Sequence, residues 1–172
     1  MSDELLQTAI DLFNQGDIDG AIEYLDSKLS SNSDNAQMHH MYAEFSNMKN
    51  SEAQEDVVPG RKIMMMYKKA MELDEENMEY IGDFASFALE CRRIPVAIKE
   101  FQRYARRLEL EDIPVDEILF NASRNIVDAI EVMDPSKQNP MVQPWLQQAL
   151  IWAVGGLGYS KDDAAEMLTR EL

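Results

Sequence analysis

Apolar residues near the N-terminus recur at three- and four-residue spacing. Leu5, Ala9, Leu12 and Phe13 share a row with Thr8, and that spacing puts them on one face of a helix. Gly16 ends this helix, because glycine takes the left-handed conformation past a helix end without a Cβ penalty. Asp17 and Asp19 suit the start of a second helix, where side-chain oxygens satisfy free N–H groups and negative charge meets the helix dipole. Ala21, Leu25 and Leu29 then follow on one face. The stretch from Asn14 to Leu25 thus predicts the elbow of a helical hairpin.

The hairpin repeats. Shifting Leu5, Thr8, Ala9 and Leu12 by 34 residues lands on His39, Tyr42, Ala43 and Ser46, which predicts a second copy of the first helix over 35–48. Its partner arrives late: Ile63, Tyr67, Ala70 and Met71 match Ala21, Leu25, Lys28 and Leu29 only after a shift of 42. The register then returns to 34, since Ile63, Tyr67 and Ala70 map onto Ala97, Phe101 and Tyr104, and Ile81, Phe84, Ala85 and Ala88 mark a third first helix over 77–91. The eight extra residues fall in 49–59. They equal about 2.2 turns, so lengthening the helix nearly preserves its facing; a surface loop is the alternative. Pro59-Gly60 forces a break before the next helix.

A small residue in the first helix, Gly-Asp at the turn, a small residue early in the second helix and a period of about 34 residues make residues 2–108 similar to tetratricopeptide repeats (TPRs). The units would be 2–34, 35–76 with the insertion, and 77–108. The resemblance implies an all-α fold, a right-handed α-α superhelix of about three TPR-like helical hairpins plus C-terminal capping helices. The repeats are degenerate: no tryptophan occupies the aromatic position of the first helices, Ser33 and Glu75 replace the terminal proline, and the second repeat lacks Gly-Asp.

Beyond Leu108 the pattern fades. Glu109–Asp112 reads as an acidic connector, Pro114 suits a first helical turn, and Ile118, Leu119, Ala122, Ile126, Ala129, Ile130 and Met133 form an apolar stripe. Trp145, Leu146, Ala149, Leu150, Trp152 and Ala153 predict another helix, stopped by Gly155-Gly156. Ser160 and Asp163 resemble a capping box opening a last one. Stacked repeats need a cap for their exposed end face, so 109–172 is expected to be a capping extension of the same globular unit.

At 172 residues with 45% hydrophobic residues, the chain can bury a core and is not disordered throughout. Its formal net charge of −16 disfavours nucleic acid and anionic membranes as partners and favours a basic or amphipathic one. Cys91 is the single cysteine, which excludes an internal disulfide and a cysteine zinc site; it reads as a small buried residue. The N-terminus has neither basic region nor apolar stretch of a signal peptide, and a reducing, cytoplasmic location is expected.

No nucleophile elbow, phosphate-binding loop or dinucleotide fingerprint occurs. His39 and His40 are adjacent, so on a helix they point about 100° apart and do not converge on one metal. No enzyme activity, cofactor or metal is expected. Binding is. In TPR proteins the first helices line a concave groove, and the groove positions carried over here give partner-binding candidates Asp3, Leu6, Ile10, Phe13, His40, Met41, Glu44, Met48, Glu79, Asp83, Leu89 and Glu90. The family's lysine and asparagine clamp for a terminal carboxylate has no counterpart, because Leu6, Ile10, His40 and Glu44 stand in its places. What remains is an apolar strip edged by acids, complementary to a basic or amphipathic protein segment. The function expected is an adaptor or scaffold. The alternatives are a secretion-type chaperone similar to type III translocator chaperones, or a regulatory subunit docking through its C-terminal helices.

Ten of the sixteen basic residues lie in or near the second helices of repeats two and three, from Arg61 to Arg107. Pairing with acidic neighbours, such as Glu100 with Arg103, is the expected role of this flank. Met64-Met65-Met66 is expected to fill the core.

Overall fold

The computed structural model describes residues 2–136 and 139–158; the helix expected from Ser160 lies outside them. Eight helices and no strand occur among the described residues: α1 (Ser2–Asn14), α2 (Ile18–Leu29), α3 (Ala36–Ala53), α4 (Gly60–Leu73), α5 (Met78–Glu90), α6 (Ile94–Leu110), α7 (Glu117–Met133) and α8 (Gln143–Gly156). The chain divides into two compact units, 1–80 and 81–172, with the boundary inside α5.

In the first unit α1 pairs with α2, α2 packs on α3, and α3 pairs with α4. The first elbow follows from its sequence. Gly16 is left-handed at φ +82°, and the Asp17 N–H reaches back to the carbonyl of Leu12 at 3.0 Å, which closes the end of α1. Asp17 Oδ1 then accepts from the Gly20 N–H at 2.9 Å and caps α2. A Cβ on Gly20 would collide with that carboxylate, so the second glycine leaves the cap its room.

The insertion lengthens α3, which has 18 residues against 13 in α1. Gln54 ends it in a left-handed conformation. The Asn50 side chain holds the loop that follows, donating to the Val58 carbonyl at 2.7 Å and accepting from its N–H at 2.9 Å. Two cross-helix ion pairs, Lys49 with Asp19 and Lys62 with Asp26, each close to 2.8 Å. The methionine triplet is only partly core: Met66 is buried, Met64 half-buried, and Met65 is 56% exposed.

The second unit holds the rest of α5 with α6, α7 and α8; α6 packs on α7, and α7 and α8 form a further hairpin. Phe101, Leu119, Ile126, Ile130 and Ala149 are wholly buried in it, and Trp152 meets Phe101 edge-on at 6.4 Å between ring centres. Gly82 brings α5 close to α6, since a Cβ there would lie 3.4 Å from the Tyr104 ring.

Two more helix ends repeat the device of the first elbow without glycine. Arg92 and Asp112 are left-handed at φ 59° and 55°, and the N–H groups of Arg93 and Ile113 reach back to the carbonyls of Ala88 and Leu108, both at 2.8 Å. Cys91, expected to be buried, is exposed, because α5 stops at Glu90 and the cysteine falls in the turn. Pro114 lies outside α7, which begins at Glu117 with Asp116 as its cap, Oδ1 accepting from the Leu119 N–H at 2.9 Å. Gly155 and Gly156 do not stop α8 but belong to it. Close approach explains them: added Cβ atoms would meet Val115 Cγ2 at 2.8 Å and Phe120 Cδ2 at 2.5 Å. The left-handed residue after the helix is Gly158, at φ +89°.

Candidate functional site

The candidate residues of the first unit are spent largely on packing. Leu6 is buried, and Ile10 and Met41 are half-buried. Phe13 stacks on Phe45 with ring centres 4.5 Å apart and planes within 4°, which ties α1 to α3. His40 is buried against Tyr80 at 4.6 Å and the edge of Tyr67 at 5.8 Å. Glu44 is half-buried and accepts from the Tyr67 hydroxyl at 3.0 Å. Met48, at 41%, and Glu79 are exposed. Asp3 lies in the first turn of α1, and its side chain is outside the described part of the structure.

His39 is structural. Its Nε2 lies 3.1 Å from the Ser33 carbonyl and its Nδ1 3.3 Å from Met66 Sδ. A carbonyl only accepts, so Nε2 carries the proton and Nδ1 is bare beside the thioether. Burial holds the His39 pKa below its usual value, against the opposing bond to Ser33.

In the second unit Asp83, Leu89 and Glu90 come together in a cleft of about 500 Å³ between α5 and α7. Phe101 of α6 and Ala122 and Ala129 of α7 give it an apolar lining, and Leu89 adds to it from α5. Asp83 and Glu90 on α5 and Asp128 on α7 give it three carboxylates, against the guanidinium of Arg92 at the α5–α6 turn. Asn121 and Asn125 supply paired amides one turn apart, and Ile118 and Val132, 46% and 70% exposed, supply apolar surface from the same helix. Three carboxylates gathered around one cleft favour cations, and amides can both donate to and accept from a peptide backbone.

The α6–α7 crossing is pinned by a short hydrogen bond from the Tyr104 hydroxyl to Asp116 Oδ2. Asp116 therefore serves two helices, capping α7 with one oxygen and anchoring α6 with the other. Burial raises the Tyr104 pKa well above its usual value, and the bond to Asp116 and the charges of Asp116 and Asp83 push it the same way. The phenol stays protonated and keeps donating.

The contribution of α7 to the cleft was missed at the sequence level, where α7 counted as a cap. Its signal was present. Asn121, Asn125, Asp128 and Val132 recur at three- and four-residue spacing along the edge of the apolar stripe that Ile118 opens, a second face of mixed chemistry on a helix that a plain cap would not need.

No protein-family model matches the chain, and no curated sequence does. Solved structures do. MamA is similar at 18% identity over 92% of this chain and 88% of its own, with a TM-score of 0.55; a second MamA structure gives 17%, 97%, 87% and 0.56. YrrB, described as a TPR protein with an unusual peptide-binding site, gives 18%, 96%, 81% and 0.54. At such identities the likeness is one of fold, and the fold is that of tetratricopeptide-repeat proteins: all-α and built of successive helical hairpins.

Proposed function

We propose that this protein is a non-catalytic interaction scaffold that holds a basic or amphipathic protein segment. The observation that carries the reading is the α5–α7 cleft, where an apolar lining lies among Asp83, Glu90 and Asp128. Apolar anchors of a partner would occupy the lining, and its Lys or Arg side chains would meet the acids. Their stems can lie along apolar surface while the charged ends reach the carboxylates. Asn121 and Asn125 would take the partner's backbone. A fold shared with YrrB, a TPR protein with an unusual peptide-binding site, supports the reading. So does a net charge of −16, which draws cationic segments by long-range attraction.

Binding of a fluorescein-labelled amphipathic Leu/Lys peptide to the full chain, read by anisotropy, tests this. Saturable binding that Ala129→Trp abolishes by filling the cleft supports the proposal. Equal binding to wild type and Ala129→Trp, or none to either, overturns it.

A further inference from the structure

The outward face of α6 carries a charge opposite to that of the molecule. Val96, Lys99, Arg103, Arg106 and Leu110 recur at spacings of three and four, so they share one stripe of the helix. Phe101, which lines the cleft, is nine residues from Leu110, or two and a half turns, so the stripe points directly away from the cleft. Lys99 and Arg106 are exposed, and Leu110 is 74% exposed. Arg93, exposed, extends the positive charge past the start of the helix. Glu100 is the one acid among them. It is buried, and its oxygens lie 3.8 Å from both Lys99 Nζ and Nη1 of the half-buried Arg103, so it offsets one charge and leaves Lys99 and Arg106 exposed to either side.

We propose that this stripe is a second docking surface and that its occupant is an acidic protein segment with apolar anchors. Val96 and Leu110 cap the cationic row at either end, at 38% and 74% exposure. A helix or strand with Asp or Glu in the middle and an apolar residue toward each end complements it. The row spans about 21 Å at 1.5 Å per residue. Beyond Arg107 the chain turns acidic through Glu109, Glu111 and Asp112, all exposed, so a long polyanion would run from cations onto carboxylates. Nucleic acid also finds no exposed ring for stacking on α6, because Phe101 and Tyr104 are buried. A short acidic protein segment meets neither obstacle. With the cleft on the opposite side of α6, the second unit would join a basic partner to an acidic one.

The test uses the full chain with three probes at low ionic strength: a fluorescein-labelled amphipathic Leu/Glu peptide, a single-stranded oligonucleotide of mixed sequence, and phosphatidylserine vesicles. Saturable binding of the Leu/Glu peptide is expected, weakened about tenfold in Lys99→Glu/Arg106→Glu and unchanged in Ala129→Trp. Lys99→Gln/Arg106→Gln, which removes charge without reversing it, is expected to lie between wild type and the reversal. No saturable binding of the peptide, binding that the charge reversal leaves intact, or tighter binding of the oligonucleotide or vesicles would each overturn the proposal. Because Ala129→Trp blocks only the cleft, the two surfaces fail or succeed separately.

Discussion

The hydroxyl of Tyr104 and the carboxylate of Asp116 fix where α7 begins relative to α6. Asp116 Oδ1 caps α7 through Leu119 while Oδ2 receives the phenol, so one side chain sets both the start and the placement of the helix that forms one wall of the cleft. Tyr104→Phe removes the donor and leaves the ring, and should lower stability by about 1.5–3 kcal/mol, the range for a hydrogen bond to a charged acceptor. Asp116→Ala loses the cap as well and should cost more, by about another 1 kcal/mol. Urea unfolding of both variants checks the order; equal losses would mean that the cap to Leu119 contributes nothing.

His39 makes the first unit sensitive to mild acid. Its folded pKa lies below the ordinary value of 6.5, so below that value the unfolded chain binds a proton that the folded chain does not. Stability is therefore complete above about pH 6.5 and declines as pH falls from there toward the lowered folded pKa. His39→Gln removes the titration. The difference in unfolding free energy between about pH 7.5 and about pH 5.5 should be smaller in the variant than in wild type. An unchanged difference would show that His39 takes up its proton in the folded state as readily as in the unfolded one.

Two glycines separate conformation from space. Gly16 has nothing near a would-be Cβ but sits at φ +82°, so Gly16→Ala should cost about 1–2 kcal/mol through backbone strain alone. Gly156 lies in a helix, where alanine is the better residue by about 1 kcal/mol, yet its Cβ would fall 2.5 Å from Phe120. Gly156→Ala should nonetheless destabilise, by about 1–3 kcal/mol. Combining it with Phe120→Ala should recover part of that loss, which double-mutant unfolding can read.

How far the sequence could be read depends on which signal each element left. The hairpin of α1 and α2 was legible because Gly16 and Asp17 each carry a local physical preference, and α3 to α6 because their apolar rows repeat the first pair. The left-handed turns that close α5 and α6 were not, because Arg92 and Asp112 occupy positions that glycine would have marked; only the bonds from Arg93 to Ala88 and from Ile113 to Leu108 disclose them. The role of Gly155-Gly156 was hidden for a similar reason, since a glycine pair looks alike whether it ends a helix or lets one approach Val115 and Phe120. The candidate site divided in the same way. Helical spacing places Leu6, His40 and Phe13 on the first helices, but which side of a helix is sealed depends on neighbours distant in sequence, such as Phe45 for Phe13 and Tyr80 for His40.

The cleft makes a further demand on charge. If Asp83, Glu90 and Asp128 act mainly by attraction across solvent, the Leu/Lys peptide should associate more slowly as salt rises, while its dissociation changes little. Asp128 is exposed on α7, so Asp128→Asn should weaken binding by about threefold at low salt, in line with a partly screened ion pair. The same substitution should have almost no effect at about 1 M salt, where the screening length falls to about 3 Å. Asn125→Ala should behave differently, because an amide bonded to a peptide backbone is indifferent to screening: its loss should raise the dissociation rate by a similar factor at both salt concentrations. Stopped-flow measurements on the two variants separate the contributions. If Asp128→Asn changed dissociation at high salt as much as at low, the carboxylate would be making a desolvated contact, and the partner would have to lie deeper in the cleft than attraction at its edge requires.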